Sequence, residues 1–346
     1  MSISSPDPQR HFGLVGKCCH TTDIMTVIEN NILAEKPSGA PAPELYRSVP
    51  KRRTLAQTAS FHLKTLYLFT RSDIKTVLVP QIIFITAAVF SRESLTTTFD
   101  QTKYSNLQKL PLAILWIWLN LVVCGISNQR LPDSIVEDEH NKPWRPLAAK
   151  RLTSAQAQRL LLGMIPLVVT VSAFMGGFKP TISMMTLLWM YNDLDGSSIN
   201  IWARNAINTG GIMCFSAGAL EVISGGELLP KAWAWIGVTG AVIATTVQAL
   251  DFPDMEGDQA RGRKTIPLLY GEGIARGGLA VMVLLWSTAC PLFWNLQPAA
   301  WAAPMGVGAL MAALTMMRRN EKSDDIVAKL WCLWLAVLYV LPLFAA

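Results

Sequence analysis

The chain alternates between long apolar runs and short polar connections. Nine stretches approach the length needed to cross a bilayer as helix, about 20 residues. They are Thr76–Phe90, Leu110–Ile126, Leu160–Phe178, Thr181–Tyr191, Ala206–Ile223, Ala232–Leu250, Gly277–Trp294, Ala299–Met316 and Leu330–Phe344. The fourth is short and also suits a re-entrant segment. Continuous runs of this length predict helices, because the strands of a membrane barrel would alternate over about 10 residues. The expected fold is all-α: a polytopic membrane bundle of about nine transmembrane helices around a central cavity. Residues 1–60 are polar and Pro-bearing, and are expected to form a mobile cytosolic tail ahead of a catalytic membrane domain over 61–346.

Composition agrees with the pattern. Half of the 346 residues are apolar and only 16% are charged, against about 25% in soluble proteins. Mean hydropathy is +0.32. A disordered chain is excluded, and the composition argues against an ordinary cytosolic fold. The net charge of +6 is spread among apolar spans, which argues for membrane topology over nucleic-acid binding. With nine spans, 25 of the 30 Lys and Arg fall in the N-terminal region and the even-numbered connections, and five in the odd ones. Positive charge stays cytosolic, so the tail and the even connections are assigned to that face. The endoplasmic reticulum is the default membrane for a chain with no other address. The six Cys form no C-x-x-C pair and read as structural thiols.

Two acidic motifs fall at span ends on that same face. The sixth span ends in Asp251-Phe252-Pro253-Asp254-Met255-Glu256-Gly257-Asp258. The spacing i, i+3, i+7 puts three carboxylates on one helical face, where they repel one another unless a cation intervenes. Hard oxygen donors suit Mg²⁺, which keeps waters and bridges to phosphates. Arg261, Arg263 and Lys264 follow directly. The second span ends in a counterpart, with Gln129, Asp133 and Glu137 at i, i+4, i+8, then Asp138, Lys142 and Arg145. Pro132 either starts a new helix or kinks the old one. The acidic groups are candidate metal ligands, and the basic ones candidate diphosphate ligands. A third polar cluster, Asn192-Asp193-Leu194-Asp195-Gly196 with Arg204 and Asn205, orients substrate or simply caps a turn.

These motifs make the chain resemble the UbiA-type intramembrane prenyltransferase superfamily. Asp251, Asp254 and Asp258 match its second motif, D-x-x-D-x-x-x-D, and Asn141-Lys142-Pro143-Trp144-Arg145-Pro146-Leu147 is similar to its N-K-P-x-x-P-L stretch. The first motif departs from N-x-x-x-D-x-x-x-D. Counted from Asn128, the acids come one residue late, at Asp133 and Glu137, so either Asn128 or Gln129 takes the Asn role. The departure, and the stretch Phe69-Thr70-Arg71-Ser72-Asp73-Ile74-Lys75, resemble a fungal branch that includes membrane-bound terpene cyclases.

The resemblance implies a metal set of Asp133, Glu137, Asp138, Asp251, Asp254 and Asp258. Asn128, Gln129, Lys142, Arg145, Arg263 and Lys264 would bind diphosphate. It further implies Mg²⁺-dependent ionisation of an isoprenyl diphosphate, farnesyl or geranylgeranyl, inside the lipid bilayer. Cyclisation of the cation is the first expectation. Transfer to an aromatic or other acceptor is the alternative, and a transporter or lipid-binding protein a distant third. Trp116, Trp118, Trp189, Tyr191, Trp202 and Phe215 are candidates to face the cation.

Overall fold

In the computed structural model, residues 54–98, 103–317 and 320–345 are described. Among them the chain is helical, apart from one antiparallel bridge between Thr96 and Leu228. Thr54 and Gln57 form a reciprocal capping box that starts α1, Leu55–Thr70. The helix therefore begins inside the stretch expected as tail. The rest of that tail lies outside the described residues.

The chain then breaks. After Asp73 comes a wide turn, Ile74–Leu78, before α2, Val79–Phe90. The pair is bent by 60°. α3 (Leu110–Gln129) ends where Pro132 begins the short α4, Pro132–Asn141. Pro tolerates the first helical turn because its missing N–H would have no partner there. So Pro132 starts a helix and does not kink one.

α5 (Ser154–Met175) carries its own capping box, Thr153 with Gln156. It ends at Gly176 and Gly177, both at positive φ, a conformation that glycine adopts without steric cost. α6 is Phe178–Asn192 and α7 is Ile201–Ser224. α8 (Pro230–Thr246) leads to the second acidic motif, which runs into α9, Met255–Arg261. α10 (Glu272–Phe293), α11 (Ala302–Met317) and α12 (Glu321–Val340) complete the bundle.

Seven helical segments are long and apolar enough to cross a membrane, and the bent α1–α2 pair makes an eighth. Each of the nine expected segments is largely helical, and eight of them have the length and composition of a crossing. α6 falls short on length alone. Its 15 residues extend only about 22 Å at 1.5 Å per residue, against a hydrocarbon core of about 30 Å.

α7 is the central post and packs against α2, α3, α6 and α8. It approaches α3 closely at Gly218, where a Cβ would lie 2.2 Å from the Trp116 ring. Trp116, Trp235, Trp294 and Trp334 fill the interior. α5 instead turns large apolar side chains outward, among them Leu162 and Phe174. That is the arrangement a lipid solvent favours, since apolar side chains lose nothing by facing acyl chains.

Candidate active site

Where α3 ends, the backbone turns at Arg130 and Leu131, and the helical register is lost. The expected face of Gln129, Asp133 and Glu137 is therefore not formed. The helical count restarts at Pro132, and the inward face of α4 becomes Ser134, Glu137, Asp138 and Asn141, at i, i+3, i+4, i+7. All four line one cavity. Asp133 is exposed and lines neither chamber of the site.

Gln129 is buried, and its Nε2 donates to the Phe69 carbonyl at 2.9 Å, bracing α1 against α3. Asn128 lines both chambers, and its Oδ1 accepts from Asn192 Nδ2 at 3.0 Å. Both candidates for the Asn role line the polar chamber, and Asn128 alone of the two also lines the apolar one.

The two acidic motifs, far apart in sequence, clasp each other. Asn141 Nδ2 donates to the Asp254 carbonyl at 3.0 Å, and Gly257 N donates to Asn141 Oδ1 at 3.1 Å. Lys142 pairs with Asp254 at 2.5 Å. Arg261 and Arg263 both reach across to Glu137 at 2.9 Å, and Arg263 also holds Asp258 at 2.9 Å. Arg145 bonds Asp138 at 2.7 Å. Arg204, from the third polar cluster, makes a fork on Asp251 at 2.7 and 3.3 Å. Asp193 of the same cluster pairs with Arg130. Lys264 is exposed and points away, to the Ile199 carbonyl at 3.4 Å. It does not join the site.

Two chambers meet beneath this clasp. The polar one, about 630 Å³, is lined by Ser134, Glu137, Asp138, Lys142, Arg145 and Arg261. The other, about 250 Å³, is largely apolar, with Leu121, Met184, Leu188, Ile207, Ile212 and Phe215 on its walls. Asp73, Asn128, Tyr191, Asp254 and Arg263 face both. A charged vestibule opening into an apolar pit suits a ligand with a charged head and an apolar tail.

Of the six expected aromatics, Tyr191 and Phe215 reach the chambers, and Trp331 joins them from α12. Trp116 is core. Trp189 and Trp202 are exposed, and Trp118 packs in a secondary cluster. Cys124, Cys214, Cys290 and Cys332 are free, in keeping with structural thiols. Cys18 and Cys19 lie outside the described residues.

Burial pushes the Asp258 carboxyl up to about 6, an effect that Arg263 offsets only in part. Burial likewise takes Asp138 to about 6 beside Arg145. Burial acts on Glu137 too, but Arg263 and Arg261 together outweigh it and hold that carboxyl below its ordinary value. Asp138 Oδ2 and Asp258 Oδ2 are buried and accept no hydrogen bond. Among the described residues no three acidic, His or Cys side chains converge to cage an ion by themselves.

Sequence reasoning quoted Asp73 and Asn141 only as parts of matched stretches and gave neither a role in the site. Arg204, named with the third polar cluster, and Tyr191, named among the aromatics, do reach the site. No spacing rule ties Asp73 to the motifs.

Residues 96–340 match the UbiA prenyltransferase family. The chain is 31% identical over 288 residues to the fumagillin beta-trans-bergamotene synthase of Aspergillus fumigatus, covering 82% of this chain and 92% of that one. It is 29% identical over 309 residues to the somaliensene A/B synthase of Streptomyces somaliensis, covering 85% and 96%. A UbiA homologue from Archaeoglobus fulgidus, solved bound to GPP and Mg²⁺, superposes with a TM-score of 0.53 at 11% identity, covering 80% and 99%. The last of these speaks to the fold alone. Together with the paired acidic motifs over a two-chambered cavity, the match over residues 96–340 makes this chain a member of the UbiA prenyltransferase family.

Proposed function

We propose that the chain is a membrane-embedded terpene cyclase that ionises an isoprenyl diphosphate and closes the resulting cation on its own double bonds. The observation that carries this reading is the junction of a charged chamber, where both acidic motifs meet, with an apolar chamber below. The synthase names of the two relatives favour cyclisation over transfer.

The head of the substrate belongs in the polar chamber. There Lys142, Arg145, Arg261 and Arg263 are held by carboxylates, and a diphosphate would compete for them. Guanidinium forks suit phosphate oxygens, which they bind two at a time. The unsatisfied Oδ2 atoms of Asp138 and Asp258 are the kind of buried oxygen a hard cation satisfies. Mg²⁺ commonly takes one or two carboxylates plus waters and substrate phosphates, so the donor set fits it without a protein cage. Glu137, Asp138, Asp251, Asp254 and Asp258 would hold it. When bound, Mg²⁺ supplies Lewis-acid neutralisation of charge gathering on the leaving group.

The tail belongs in the apolar chamber, whose walls deny the cation a water to react with. The rings of Tyr191, Phe215 and Trp331 line it, and an aromatic face attracts a cation. The proton lost at the end leaves a carbon–carbon double bond in the product. The charge asymmetry supports placing the motif end at the cytosolic face, with the endoplasmic reticulum as the default membrane.

The test is incubation of the purified chain with farnesyl or geranylgeranyl diphosphate and Mg²⁺, with no acceptor present. A cyclic hydrocarbon is expected by mass spectrometry. Product that forms only after an aromatic acceptor is added would refute cyclisation and favour prenyl transfer.

A further inference from the structure

Setting aside Glu321 and Asp325 at the open start of α12, six carboxylates line the two chambers. Five have a protein cation for a partner, at 2.5 to 2.9 Å. Glu137 has Arg261 and Arg263, Asp138 has Arg145, Asp251 has Arg204, Asp254 has Lys142 and Asp258 has Arg263. The sixth is Asp73. Its side chain makes no ion pair and accepts no hydrogen bond among the described residues.

The backbone holds Asp73 in place. Its carbonyl accepts from Val77 N at 2.8 Å and from Leu78 N at 3.1 Å. This is the wide turn at which α1 and α2 bend by 60°. Such turns insert one residue into a helix and redirect side chains, and they recur at functional sites. Here the turn brings Asp73 to the junction, facing both chambers together with Asp254.

A partly buried carboxylate beside another one bears both desolvation and repulsion, and a cation relieves both. The nearby cations of the protein act on Asp73 through space but none pairs with it. Lys142 and Arg145 are committed to Asp254 and Asp138, and Lys75 is exposed. A second open donor lies in the same chamber: Asp258 is 1% exposed, and its Oδ2 has no hydrogen-bond partner.

We propose that Asp73, together with Asp254, is a divalent-cation ligand at the junction of the two chambers. The bend between α1 and α2 then contributes to metal binding alongside the two acidic motifs. Hard oxygen donors in this number suit an ion that completes its shell with water and phosphate. The assignment rests on the diphosphate-ionisation reading for the reaction it serves, but the cation site can be tested without a prenyl substrate.

The probe is Mn²⁺, titrated by electron paramagnetic resonance into the full purified chain in detergent, with inorganic pyrophosphate present. Asp73→Asn is expected to weaken binding about tenfold or to remove one bound ion, the scale on which tuning groups act in metal sites. Asp133→Asn, on an exposed acid outside the chambers, should bind as the parent does. Asp73→Glu keeps the charge and should recover most of the affinity, which separates ligation from a folding defect. Unchanged Mn²⁺ binding in Asp73→Asn overturns the proposal, whatever happens to turnover. An altered product mixture with unchanged Mn²⁺ binding also overturns it. If the parent ionises prenyl diphosphates yet Asp73→Asn matches its Mn²⁺ binding, only this assignment falls. If the parent neither binds Mn²⁺ nor releases diphosphate, the functional reading falls with it.

Discussion

Gly257→Ala is the sharpest test of how the two motifs are held together. Gly257 lies inside α9 and its φ is not in the left-handed region, so the backbone itself accepts alanine. In an open helix the change would stabilise by about 1 kcal/mol. Here a Cβ would fall 2.3 Å from Asn141 Nδ2, 2.5 Å from its Cγ and 2.6 Å from its Oδ1. Reaching ordinary contact moves Asn141 by roughly 1 Å, and a displacement of that size near reacting groups costs about 100-fold in rate. Asn141 would lose its bonds to the Asp254 carbonyl and the Gly257 amide. Each lost bond that strands a buried partner costs about 1–3 kcal/mol, part of it offset by the helix gain.

The expected result is a turnover loss of about 100-fold with only a modest fall in melting temperature. Diphosphate release and thermal unfolding in detergent measure the two. Gly277→Ala is the control, because nothing lies within 4 Å of its Cβ position. It should keep full turnover and gain up to about 1 kcal/mol. Asn141→Ala added to Gly257→Ala should cost less than the two singles combined, since both act on one contact. A Gly257→Ala enzyme with parental turnover would refute the clasp as the device that sets the motif geometry.

Other expectations follow from the same contacts. Asp254→Asn should abolish Mg²⁺-dependent diphosphate release without unfolding the protein, while Asp133→Ala, exposed and outside the chambers, should stay active; equal loss in both would reject the placement of α4. The raised carboxyls of Asp138 and Asp258, both about 6, bind protons more tightly folded than unfolded. Their contribution to stability is therefore present at low pH and lost as pH rises from about 4 to about 6. Metal must displace those protons, so stabilisation by Mg²⁺ with pyrophosphate should grow between pH 5 and pH 7, and a flat thermal-shift profile would contradict this. Arg276 is 1% exposed, bonds Asp324 at 2.7 and 2.9 Å, and stacks over Phe252 of the second motif at 4.4 Å. Asp324→Leu should destabilise by about 1–3 kcal/mol, because it takes two bonds from a buried guanidinium that keeps its bonds to Glu272 at 2.9 and 3.1 Å. Arg276→Met added to it should recover part of the loss, and strict additivity in urea unfolding would argue against the pairing.

Much of this protein was written in one dimension. Apolar run length dictated helices and a bilayer, because no other element satisfies its backbone internally over such a stretch. The spacing of Asp251, Asp254 and Asp258 marked the second motif, and all three line the apolar chamber, although a turn over 251–254 carries the first two and only Asp258 lies within a helix. The first motif misled for a local reason too. The count from Gln129 to Glu137 assumed one continuous helix, and the break before Pro132 shifted the register, turning Asp133 outward and Asp138 inward.

What only the fold decided is which distant residues share a space. The pairing of Glu137 with Arg261 and Arg263, the fork of Arg204 on Asp251 and the arrival of Asp73 at the junction join four separate parts of the chain. Periodicity reports which way a side chain faces relative to its own helix axis. Which other helix stands opposite depends on packing, and packing is a property of the whole bundle.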